Sequence, residues 1–157
     1  MRKRIITQGI QETSETAFNW LNLEEIAEVE ISSEQEGFPI EAALIADSGS
    51  CWQAADSGEQ TIRLLFDQPQ SIRVIRLLFQ EQHQERTQEF VLRWSPDQGD
   101  NFHDISRQQY NFSSPDSTRQ LEIYHVDLDG VTALELCIIP NISGGDTRAS
   151  LTEWRIA

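Results

Sequence analysis

Three histidines and two cysteines are the residues of this chain best suited to chemistry, and their spacing builds no familiar catalytic constellation. His83, His103 and His125 fall on separate segments, with no pair at metal-ligand spacing. His103-Asp104 offers two parts of a triad, but no Ser or Cys on a tight elbow accompanies it. The HExxH, GxSxG, P-loop and GxGxxG patterns are absent. Cys51 stands beside Trp52 in a loop flanked by Gly49 and Ser50, a placement that could expose its thiol. No cationic neighbour is near enough in sequence to lower its pKa, so it reads as a small buried hydrophobe. Cys137 lies on the strand face opposite Leu136 and Ile138 and reads as packing, as does His125, which alternates with Ile123. These residues point to a protein that binds rather than an enzyme.

Charge narrows the partners. Between Arg4 and Arg63 there is no Lys or Arg, while twelve acids run from Glu12 to Glu59; after that, nine arginines face fourteen acids, giving a net charge of −14. A surface of this sign repels phosphate backbones and anionic lipid, so neither nucleic acid nor a membrane is an expected partner. The acidic first third reads as a solvated face, with docking of a basic partner or a cation as the other reading.

Met1-Arg2-Lys3-Arg4 has the form of a signal-peptide n-region, yet Ile5 to Gly9 supplies no apolar stretch behind it. No run approaches the roughly 18 apolar residues of a membrane span. Two cysteines are too few for an extracellular disulfide framework, and the expected location is cytoplasmic.

The elements that must position these residues are strands. Ile62, Leu64 and Phe66 alternate before a turn at Asp67-Gln68-Pro69; Ser71 to Phe79 follows, the most apolar segment. Phe90, Leu92 and Trp94 share a face before the turn formers Ser95 to Asp100. Next come Phe102 to Phe112, Leu121 to Leu128 ending at Asp129-Gly130, Leu134 to Ile138 stopped by Pro140, and Leu151 to Ile156. Ala27 to Ile31 is an eighth strand upstream. Thr13 to Glu25 fits both helical and alternating patterns and is assigned a short helix or turn within a lead-in over residues 1–25. The expectation is one all-β domain over residues 1–157, an eight-stranded antiparallel jelly-roll sandwich whose edges are protected by pairing two sheets.

Three runs carry a family likeness. Ala46 to Trp52, Gln60 to Asp67 and Ile75 to Phe79, followed by the hairpin Glu89 to Phe102 and the closing segment Ala149 to Ile156, resemble in order the discoidin or coagulation-factor type C domains. These belong with the galactose-binding-like carbohydrate-binding modules. The chain also resembles stand-alone bacterial proteins labelled carbohydrate-binding on fold alone. Extracellular discoidin domains usually carry a Cys pair and exposed aromatic spikes for membranes, and neither is evident here.

The resemblance implies a ligand at loops on one end of the sandwich: 32–40, 47–52 and 80–86. In the first, Glu34 and Glu36 offer acceptors beside the ring of Phe38, a combination suited to sugar hydroxyls and a C–H face. In the last, His83 and Arg86 fall where sugar-binding relatives often place a donor. Relatives also hold a structural Ca²⁺, and Asp47, Ser50 and Glu153 match its ligand types, although the Asp47 to Trp52 loop is shorter than the family's usual one. Two functions follow as expectations: a saccharide-binding module, or an intracellular protein-interaction domain.

Overall fold

Ser71 to Phe79 is the second half of one continuous strand of 21 residues, β3 (Gln60–Gln80), whose first half contains Ile62, Leu64 and Phe66. Its partner is another 21-residue strand, β6 (Arg119–Ile139), running antiparallel along its whole length. These contacts come from a computed structural model that describes residues 18–157, so residues 1–17 of the expected lead-in lie outside the described residues.

Both long strands bend at the places where punctuation predicts turns. Ladder pairing runs to Leu65–Ala133, shifts, and resumes at Gln70–Val131 and Ile72–Leu128. Pro69 cannot donate to a ladder, and Gly130 adopts φ +68, a left-handed conformation open to a residue without Cβ. Bulges at matching positions bend both strands together and carry them from one layer of the sandwich into the other. What reads in the sequence as four strands is therefore two.

The remaining strands attach to this pair. β1 (Ala27–Ile31), after one helical turn α1 (Leu23–Ile26), pairs with the first half of β3. β4 (Arg86–Ser95) pairs with the second half of β6, and β5 (His103–Phe112) pairs with β4. On the other layer β8 (Glu153–Ile156) pairs with the second half of β3. β2 (Trp52–Ser57) and β7 (Arg148–Leu151) form a two-stranded ribbon beside it, after a second helical turn α2 (Glu41–Leu44). The expected count of eight strands is met with different boundaries: two pairs of segments merge, Trp52–Ser57 is added, and the closing segment divides at Thr152. The fold is the all-β antiparallel sandwich, with 61% of residues in strands and 6% in helices.

The core lies between the layers, where alternate residues of each strand point inward: Ile62, Leu64, Leu77, Phe79, Phe90, Leu136 and Ile138, with Trp52 and Trp154 fully buried. Phe79 stacks on Phe90 across the layers at a centroid distance of 5.2 Å. On the outer face of the five-stranded layer, a row of charges alternates across all five strands. Glu30 on β1 meets Arg63 on β3 (3.0 Å), Arg63 meets Glu135 on β6 (2.6 Å), Glu135 meets Arg93 on β4 (3.4 Å), and Arg93 meets Asp104 on β5 (2.8 Å). Asp104 is thus committed to Arg93. A one-residue slip of any strand would carry its charge to the opposite face, so this ladder reinforces the register set by the apolar core.

Glu135 is 6% exposed and faces two arginines, whereas Glu30 is a solvated end of the row. Glu135→Ala is expected to lower the unfolding free energy by about 2–4 kcal/mol, since Arg63 and Arg93 are left facing one another. Glu30→Ala is expected to lower it by less than about 1 kcal/mol. Urea denaturation of both variants measures the difference, and equal losses would contradict the ladder.

Candidate functional site

A cleft of about 1050 Å³ opens at one end of the sandwich, where loops from both layers converge. Phe38, Asp47, Ser50, His83 and Glu153 all line it, so five residues drawn from distant points of the sequence share one surface. Glu34, Glu36 and Arg86 do not line it.

The loop carrying Phe38 is pinned to β2. Gln35 N–H donates to Gln53 O at 2.9 Å, and Gln53 N–H donates to Phe38 O at 3.2 Å. The indole of the buried Trp52 donates to Ser33 O at 3.2 Å, and Ser33 Oγ accepts from the Ala55 and Asp56 amides. The tight return from Gln35 to Phe38 needs φ +88 at Gly37. Glu34 points back into this framework, where its Oε1 accepts from Ile40 N–H at 2.7 Å. Glu36 is exposed at the loop tip. Both carboxylates are exposed, and they differ in that Glu34 braces the backbone through its bond from Ile40 N–H.

Arg86 is 2% exposed. Its Nε donates to Glu81 at 2.9 Å, its Nη1 to Pro140 O at 2.8 Å and to Gln88 at 3.2 Å, and its guanidinium lies 4.7 Å from the Phe112 ring centroid. Its influence on the cleft runs through Glu81, which lines it and accepts from His83 N–H at 3.3 Å. Gln84 ties this loop to the loop before β7, donating to Thr147 Oγ1 at 3.0 Å. His83 is exposed at the rim.

The cleft also contains residues that the sequence does not single out: Gln53, Gln80, Gln82, Gln84, Asp146 and Arg148. The Gln-rich run 80–84 and the glycine pair Gly144-Gly145 (φ +82 and +98) are the signals that mark those loops. Primary amides present two donors and an acceptor each, hydroxyls add both, and Phe38 adds an apolar face. That mixture suits a ligand with many hydroxyls and an apolar C–H side. Cys51 lines the cleft as well, with a thiol pKa pushed up by burial and eased down only by Gln53. This is the opposite of an activated nucleophile.

The three residues matched to calcium ligands lie on the same cleft, but Glu153 is already met by cations: Arg76 at 3.7 Å and Arg155 at 3.5 Å. Among the described residues no group of three or more His, Cys, Asp or Glu could hold a metal ion. With Asp47 exposed and Glu153 facing two guanidiniums, the donors present do not fit a calcium cage, which needs six to eight oxygens around one point.

No family model and no curated relative matches the chain. Solved structures do match. CpGH89CBM32-5 of Clostridium perfringens, in complex with GalNAc-beta-1,3-galactose, is 18% identical with a TM-score of 0.65, over 88% of this chain and 99% of that one. The family 32 carbohydrate-binding module of C. perfringens NanJ, in complex with galactose, is 10% identical with a TM-score of 0.63, over 87% and 96%. A pectin-binding carbohydrate-binding module is 24% identical with a TM-score of 0.60, over 83% and 89%. The chain has the galactose-binding-like β-sandwich fold of these modules, the fold that its discoidin-like sequence runs imply.

Arg86 and His83, three residues apart, sit in opposite environments. Arg86→Met is expected to lower the unfolding free energy by about 2–4 kcal/mol, because Glu81, Gln88 and the Pro140 carbonyl lose a buried donor. His83→Ala is expected to change it by less than about 0.5 kcal/mol. Parallel urea titrations check the contrast.

Proposed function

We propose that the chain is a non-catalytic module that holds a saccharide in the loop-end cleft. The observation that carries this reading is the meeting of Phe38, His83 and the Gln-rich 80–84 run on one cleft, on loops held in place by backbone pairing and a buried arginine. Phe38 supplies a stacking face, and the amides, His83 and Arg148 supply directional hydrogen bonds to ring hydroxyls. The fold neighbours support the same reading, being described as complexes with GalNAc-beta-1,3-galactose or galactose, or as pectin-binding. The raised thiol pKa of Cys51 and the commitment of Asp104 to Arg93 support a role without covalent or acid–base catalysis. A glycan array followed by calorimetry tests the proposal. At least one neutral glycan is expected to bind saturably, and Phe38→Ala and His83→Ala each to weaken it about tenfold or more, without loss of fold. An array blank for every glycan would overturn it.

The module stands without calcium in this reading, since Arg76 and Arg155 supply the positive charge that Glu153 faces. Melting temperature is expected to stay within about 1 °C between excess EDTA and millimolar Ca²⁺, because an ion that does not bind the native state cannot stabilise it. A clear rise with Ca²⁺ would show that the arginines give way to the ion.

A further inference from the structure

We infer that this cleft sorts saccharides by charge, accepting neutral and amino sugars and rejecting hexuronates; the inference rests on the saccharide reading above. Among the described residues, four carboxylates line the cleft, those of Asp47, Glu81, Asp146 and Glu153, against a single guanidinium, that of Arg148. They are not equivalent. Glu81 is neutralised by Arg86 at 2.9 Å, and Glu153 faces Arg76 and Arg155. Asp47 and Asp146 are exposed and have no ion-pair or hydrogen-bond partner among the described residues, so their full charge faces the space a ligand would enter.

Among the described residues that line the cleft, Arg148 is the one guanidinium that could receive a ligand carboxylate, and it is partly engaged, donating from Nη1 to Gln35 Oε1 at 3.3 Å. The field of the whole molecule, with net charge −14, has the same sign and opposes the approach of an anionic chain before any contact forms. A uronate entering this cleft would leave bulk water for a site where, among the described residues, unpaired like charges outnumber the available guanidinium. A sugar bearing an ammonium would find two free carboxylates.

Calorimetry with matched series tests this: galactose, galactosamine and galacturonic acid, and glucose, glucosamine and glucuronic acid. In the configuration that binds, the hexuronate is expected to bind about tenfold or more weakly than its neutral parent, and the amino sugar at least as well as the parent. The gap is expected to narrow between ~0.05 and ~0.5 M salt. It is also expected to narrow to within about threefold in the double variant Asp47→Asn, Asp146→Asn, whose Asn at position 47 tolerates the left-handed φ of +55 there. Hexuronate binding as tight as the neutral sugar would overturn the charge rule and leave the saccharide reading intact. So would a gap unmoved by salt and by the double variant. No binding by any of the six sugars would overturn the saccharide reading for these configurations, and the charge rule with it.

Discussion

The antiparallel pairing of β3 with β6 is the constraint on which the rest of the structure depends. Each strand contributes its first half to one layer and its second half to the other, so a single ladder joins both faces of the sandwich. Every other strand except the β2–β7 ribbon pairs directly with one of these two, or with β4, which does. The bend at Pro69 and Gly130 therefore sets where the layers separate. It also sets which chain ends emerge at the cleft: Gln80 ends β3 there, and Glu81 to Gln84 continue from it into the lining.

Two different forces hold this arrangement in register. Within the core, inward residues of β3, β6 and β4 share rows, so a slip by one position would exchange buried Ile, Leu and Phe for solvent-facing polar residues. Outside, the Glu30–Arg63–Glu135–Arg93–Asp104 row applies the same test with charge. The central Glu135 matters most because it is shielded from water by its neighbours, while the row's ends are screened. The apolar term supplies most of the stability and the charged row adds specificity of pairing.

Sequence pattern revealed the fold because strands buried on one face alternate visibly, as Ile62, Leu64 and Phe66 do. It misplaced ends where a turn former bends a strand without reversing it, since Pro69, with no N–H to donate, and Gly130, free to adopt φ +68, serve a bulge as readily as a hairpin. Trp52–Ser57 shows no readable period because only two of its positions, Trp52 and Ala54, are buried. The cleft was partly legible: Phe38, His83 and Asp47 lie on loops that the family likeness marks, and the structure brings them together. Local type could not show that Glu34 caps a backbone amide or that Arg86 is buried against Phe112, because both depend on partners fixed by tertiary packing. Asp146 and Arg148 enter the cleft from the loop before β7 and from its first residue, a stretch that sequence pattern leaves between two strands.

The division of labour among the charged residues follows from burial. Arg86, deprived of water, is held by Glu81 on its Nε and by Gln88 and a main-chain carbonyl on its Nη1, while its buried Nη2 has no partner among the described residues, and these bonds fix the loop that presents His83. Glu34, although exposed, braces the Phe38 loop by accepting from Ile40 N–H. In the proposed reading, the groups that would meet a ligand are those cleft residues whose own bonding the protein leaves open: Asp47, Asp146, His83 and the exposed amides. A fold common to many binding modules carries no ligand preference by itself, so any discrimination under the proposed reading would reside in this second set. Because the first set holds the loops before any ligand arrives, little ordering remains to be done on binding, and small differences in charge among the second set translate directly into selectivity.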